Sequence, residues 1–173
     1  TAKQGREFIK LLKFYIKQRQ VLDVEKVEFH RFDLLFTQPI IVQTLAKVKS
    51  GLFSLADAKA LTCQETFDYT NTTVAGLTDK TEGITNDGPS NPSFFGIGQI
   101  GNAAIEEANT WLIENTGLFF NADEIKTGDI TKQILATCAY LGVLSNILDK
   151  KFPDNQPTGN EYKKFVFAVY NAG

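Results

Sequence analysis

The run from Lys132 to Lys150 constrains the fold more than any other part of the chain. Ile134, Leu135, Cys138, Leu141, Leu144, Ser145 and Leu148 recur at three- and four-residue spacing behind Thr131, which reads as the N-cap. Their stripe is wide, so this helix has to be covered by neighbours rather than lie on a surface. The rest of the chain supplies them. Arg6 to about Gln20 reads as an amphipathic helix, with Phe8, Leu11, Leu12 and Tyr15 on one face and Lys10, Lys13, Lys17 and Arg19 elsewhere. Pro39 suits the first turn of a helix through Lys49, ended by Ser50-Gly51. Ser54 and Asp57 form an acidic capping box for a helix from Leu55 to about Glu65. Ala103 to about Asn115, with Trp111 and Leu112 as core residues, and Glu161 to Tyr170 complete the set.

Between Thr66 and Phe94 the composition shifts to Thr, Asn, Asp, Gly and Pro, with Asn86-Asp87-Gly88-Pro89 and Asn91-Pro92 as turn signals. A loop of that length in a small domain points to function. The expected fold class is therefore mainly α, a helical bundle with a small loop or β-hairpin region forming one wall of a cleft. The expected organisation is an N-terminal helical segment, residues 1–54, ahead of a domain over residues 55–173. The sequence leaves open whether the first segment packs onto that domain or belongs to a larger assembly.

Composition removes several function classes. The chain has 173 residues, 43% of them hydrophobic, enough for one domain with a real core. Its formal charge of −2 gives no field to drive binding to nucleic acid or to an anionic membrane. No stretch approaches the roughly 20 apolar residues that span a bilayer. It opens on Thr1 and has no Met, which suggests a processed or excised form lacking any signal peptide. Cys63 and Cys138 fall inside helical patterns and read as buried thiols rather than as a disulfide. The one histidine, His30, lies far from both, so histidine-based triads and metal sites have little support.

Three segments carry the chemistry: Gln64-Glu65-Thr66, Phe95-Gly96-Ile97-Gly98-Gln99-Ile100, and Ala168-Val169-Tyr170-Asn171-Ala172-Gly173. Ala58, Leu61, Thr62 and Glu65 fall on adjacent faces of one helix, so a carboxylate emerges at its C-terminal end. The partial negative charge of a helix C-terminus favours the protonated carboxyl, the form a general acid needs. Gly96 and Gly98 permit close approach of a ligand or of a neighbouring helix, and Gln99 offers a donor and an acceptor to a sugar N-acetyl or hydroxyl group. Phe94 and Phe95 can form an apolar wall beside the acid. A nucleotide-binding reading of the two glycines fails, because no strand precedes them and no third glycine follows at the required spacing. Tyr170 is placed to bring its hydroxyl near the acid, and Asn171 to fix the cleft or the substrate. The same terminal segment also reads as a helix C-cap.

These segments resemble the signature of the lytic transglycosylase and goose-type lysozyme families. Those families carry a catalytic glutamate in a Glu-Ser pair, then Gly-Leu-Met-Gln-Ile, then Ala-Tyr-Asn-Ala-Gly. Here Ile97-Gly98 replaces the usual apolar pair, and the resemblance covers roughly Leu55 to Gly173. It implies an α+β, lysozyme-like fold, with Glu65 catalytic and Thr66, Phe95, Gly98, Gln99, Ile100, Tyr170 and Asn171 binding substrate. The implied substrate is the peptidoglycan glycan strand, with neither cofactor nor metal. The implied reaction is cleavage of the β-1,4 bond between N-acetylmuramic acid and N-acetylglucosamine, with a 1,6-anhydro product. A hydrolytic muramidase is the alternative and requires a second carboxylate, for which Asp68, Asp79 and Asp87 are candidates that also suit turns. A catalytically weak wall-binding module of a phage or secretion machine is the alternative from another class, and chitinase-like cleavage is less well supported. The expected setting is periplasmic, cell-wall facing or virion-associated, with residues 1–54 joining a larger phage or envelope assembly.

Overall fold

A computed structural model describes residues 34–66, 94–126 and 129–172. In chain order these form α1 (Pro39–Lys47), a 3-10 turn (Val48–Gly51), α2 (Leu55–Thr66), β1 (Phe94–Phe95), β2 (Ile100–Gly101), α3 (Asn102–Thr116), α4 (Ala122–Lys126), α5 (Ile130–Lys151) and α6 (Gly159–Ala172). The protein is mainly helical with one small strand region. The expected Arg6–Gln20 helix, His30 and the loop region between Thr66 and Phe94 lie outside the described residues.

The long apolar run becomes α5, the axis of the fold. Ile134, Leu135, Cys138, Leu141, Leu144, Ser145 and Leu148 are all buried, together with Gln133, Ala136, Thr137, Ala139 and Gly142. Burial reaches round most of the helix because α1, α2, α3, α4 and α6 all pack against it. Full burial of each large aliphatic side chain contributes about 1.5–3 kcal/mol. α3 comes close at Gly142, where a Cβ would collide with the indole of Trp111. The N-cap is Asp129 rather than the expected Thr131, its carboxylate accepting from the Lys132 N–H at 3.0 Å. An ionised cap complements the helix dipole as well as the orphan N–H, which a hydroxyl does less well. Asn121 likewise starts a short helix, α4: its side chain accepts from Asp123 N–H, and Glu124 accepts from Asn121 N–H.

Residues 34–54 share the core of the rest. Phe36, Ile41, Leu45, Val48 and Phe53 belong to the same buried cluster as Leu112, Ile134 and Val166. The expected division after residue 54 therefore cuts through one core, and this stretch packs onto the domain. Lys49 and Ser50 adopt left-handed backbone, φ 45° and 54°, ahead of Gly51 at 80°. Such a turn costs on the order of 1–3 kcal/mol per non-glycine residue. It is held by Lys49, whose ammonium meets Asp149 at 2.6 Å and Gln156 at 3.0 Å and lies over the Tyr162 ring.

The last helix is longer than expected at both ends. It starts at Gly159 and continues through Asn171 and Ala172, so the segment after Tyr170 prolongs the helix instead of leaving it. Cys138 is a buried free thiol, pushed up to about 12 by desolvation and so inert as a nucleophile. Cys63 lies in α2, and its side chain is outside the described residues. Among the described residues no helix is long and apolar enough to cross a membrane.

Candidate functional site

α2 is anchored at its start and buried along one side, which fixes where its end points. Ser54 N–H donates to Asp57 Oδ2 at 2.8 Å and Asp57 N–H donates to Ser54 Oγ at 3.2 Å, the reciprocal box read from the sequence. Lys163 of α6 donates to the same carboxylate at 2.6 Å. Desolvation pushes Asp57 up, but the hydrogen bonds from Lys163 and Ser54 outweigh it and hold the carboxyl below its ordinary value. Ala58, Leu61 and Thr62 are buried. One step further along that side stands Glu65, half-buried at the C-terminal turn. Desolvation raises its pKa above the usual carboxylate value, and among the described residues it has neither a hydrogen bond nor a counter-ion.

β1 and β2 form a minimal antiparallel hairpin, with Phe94 opposite Gly101 and Phe95 opposite Ile100. Its four-residue turn is Gly96-Ile97-Gly98-Gln99. Gly96 sits at φ 68°, where glycine is at ease, and Gln99 at 47°, where it is not. The Gln99 conformation is held locally, since its N–H and its side-chain Nε2 both donate to Gly96 O, at 3.1 and 3.0 Å. From behind, Gln133 of α5 accepts from Ile97 N–H and donates to Ile125 O. A Cβ at Gly96 would run into the Gln133 side chain, and one at Gly98 into Thr137 Oγ1 and the Tyr170 hydroxyl. Both glycines are thus required by the closeness of a neighbouring helix.

Tyr170 joins the segments. Its hydroxyl donates to Gly98 O at 2.5 Å across 72 residues of sequence. Desolvation raises its pKa far above the ordinary tyrosine range, Thr137 offsets part of this, and the charge of Glu65 adds to it. The hydroxyl therefore stays protonated as a fixed donor in the neighbourhood of Glu65. Tyr140 of α5 packs its ring edge-on to Tyr170, centroids 5.6 Å apart. Its own hydroxyl is raised by desolvation and by the charge of Glu107 on α3.

The three sequence segments therefore meet: the end of α2 with Glu65, the hairpin turn with Gly98, and the end of α6 with Tyr170. Several of the residues expected to bind substrate sit otherwise. Phe95 is 7% exposed, Ile100 2% and Gln99 7%. Phe95 and Ile100 are core, and Gln99 Nε2 donates within its own turn. These three shape the site from inside. Asn171 is exposed on α6. Thr66 closes α2, its side chain outside the described residues, as is that of Phe94. Asp68, Asp79 and Asp87 also lie outside them.

Gln133, Thr137 and Tyr140 escaped sequence reasoning. Their signal is visible in retrospect: polar residues at positions i, i+4 and i+7 on one face of an otherwise apolar helix. Among the described residues no three His, Cys, Asp or Glu side chains converge as a metal site would require. No protein-family model, curated protein or solved structure gives a significant match to this chain.

Proposed function

We propose that the protein cleaves peptidoglycan glycan strands with Glu65 as the single catalytic acid, as a lytic transglycosylase. The observation that carries this reading is the half-buried carboxyl of Glu65, without a counter-ion among the described residues, at the convergence of α2, the hairpin turn and Tyr170. A carboxyl whose pKa is raised by burial stays protonated to higher pH than a solvated one, and the protonated form is the one that can donate to a glycosidic oxygen. Glu65 protonates the oxygen linking N-acetylmuramic acid to N-acetylglucosamine as that bond breaks, and positive charge develops on the muramoyl ring. The carboxylate left behind then takes the proton of the muramoyl 6-hydroxyl, whose oxygen closes onto the anomeric carbon. Tyr170, held by Gly98, is a positioning residue that keeps the turn against the acid. The setting that suits this chemistry is cell-wall facing or virion-borne.

The test is to incubate purified protein with sacculi and analyse the released muropeptides by mass spectrometry. Anhydro products, one water lighter than hydrolysed ones, are expected. Reducing ends would instead make it a muramidase, and binding without release a docking module. Glu65→Gln is expected to lower the rate by about 10²–10⁴-fold, the usual weight of general acid catalysis. Its folding is expected to be unharmed at neutral pH. A raised carboxyl pKa means the folded state holds its proton more tightly than the unfolded one, so ionisation of Glu65 costs stability that glutamine does not. Wild-type activity should fall as pH rises through the pKa of Glu65. A fully active Glu65→Gln enzyme would end the proposal.

A further inference from the structure

A groove of about 410 Å³ runs between α3 and α5, and nothing in the chemistry above uses it. The two helices run in the same direction here: Glu107 lies by Tyr140, Trp111 abuts Gly142, and Glu114 shares the groove with Lys150. Trp111, Val143 and Ile147 give it an apolar floor, Ile147 being 48% exposed. Glu106, Glu107 and Glu114 make one wall acidic, while Asn146 and Lys150 stand on the other. None of these carboxylates, nor the Lys150 ammonium, forms an ion pair among the described residues. One end of the groove opens beside Tyr140, whose ring rests on Tyr170.

We infer that this groove binds the peptide branch of the wall polymer, taking its side-chain ammonium against the glutamates and a carboxylate at Lys150. The inference rests on the reading of Glu65 as a wall-cleaving acid. Peptides that branch from the muramoyl sugar carry a diamino residue with a free amine, carboxylates and small apolar alanyl groups, so they present both charge signs and methyl surface. The groove offers the complement of each. The stretch from Val143 to Lys150 is about 10 Å of helix, and three extended peptide residues span about the same length. A bare glycan has no charge with which to meet the three glutamates. A strongly anionic ligand would be repelled by them, and a cationic one would leave Lys150 unanswered.

Trp111 is the single tryptophan of the chain and lines the groove, so its indole N–H resonance reports the site alone. The probe is the soluble tetrapeptide L-alanyl-γ-D-glutamyl-L-lysyl-D-alanine, titrated into the full chain. A saturable shift of the Trp111 signal is expected, weakened roughly tenfold when the lysine amine is acetylated and by a similar factor in Glu107→Gln/Glu114→Gln. An absent shift, an equal response to the acetylated peptide, or a double variant that binds as well as wild type would overturn the inference. The probe contains no glycosidic bond, so the two readings fail separately. Sacculus cleavage with a silent Trp111 removes the groove alone, and a Trp111 response without cleavage removes the assignment of Glu65 alone.

Discussion

Each end of α6 carries a tyrosine that packs against α5, yet the two ends do opposite things with charge. At the far end Tyr162 donates to Ser145 O at 3.0 Å and to Asp149 at 2.8 Å, and Asp149 is answered by Lys49 at 2.6 Å. At the near end Tyr170 donates to a backbone carbonyl, and the carboxylate it neighbours, Glu65, has no cation among the described residues. The far end is a staple: its charges neutralise one another and hold a strained turn. The near end leaves its carboxyl without a counter-ion among the described residues and partly desolvated, an arrangement that does not favour stability and keeps the group protonated to higher pH than a solvated carboxyl. A buried tyrosine hydroxyl is thus no marker of a site by itself. The state of the carboxylate beside it separates a brace from an acid.

The two ends of α6 can be perturbed separately. The largest effect belongs to Glu65→Gln, where activity should fall by orders of magnitude with no loss of melting temperature, a separation that no residue at the far end should give. Next comes Gly98→Ala. Its methyl would push against Thr137 and Tyr170, so stability in urea unfolding should drop by about 1–3 kcal/mol, as overpacking of a tight core does, and activity should drop with it. A variant of wild-type stability would mean that the hairpin turn can shift away from α6.

At the far end, Tyr162→Phe should cost about 1–3 kcal/mol, since Ser145 O and Asp149 lose a donor, while leaving the pH profile of activity in place. Burial is the main reason the Tyr162 hydroxyl is pushed up to about 12 from its ordinary 10.0. The unfolded chain therefore ionises first, and this stabilisation is complete below pH 10 and lost as pH rises from there through the folded value. Alkaline denaturation curves should be steeper for wild type than for Tyr162→Phe. The smallest effect is expected for Asp57→Asn, which weakens the α2 cap and removes the charge facing Lys163, at about 1 kcal/mol. Asp57 has a lowered pKa, so its contribution is present above the ordinary 3.8 and disappears as pH falls through the folded value. The wild-type advantage over the variant should vanish in acid.

Much of the fold was legible because it rests on local rules. Periodicity placed α5, the capping box placed the start of α2, and Pro39 placed the start of α1. Where expectation and structure differ at a helix start, competing local signals were of similar strength: Asp129 against Thr131 as a cap. The candidate site was legible in part. Glu65, Gly98 and Tyr170 were named from the sequence and do come together. Gln99, Phe95 and Ile100 were named for ligand contact and turned inward. A side chain's chemistry states what it can bond to, while its direction depends on neighbours distant in sequence.

Local sequence alone makes the chain mainly helical, requires α5 to be surrounded, and puts a carboxylate in the last turn of α2. Each follows from periodicity and capping within a dozen or so residues. Tertiary packing sets the rest: Gln133 and Thr137 lie against the hairpin turn, residues 34–54 share the common core, and Lys49 neutralises Asp149 while Glu65 has no counter-ion among the described residues. Those outcomes depend on contacts across tens of residues, and an ionisable group acquires its environment only when those contacts close around it.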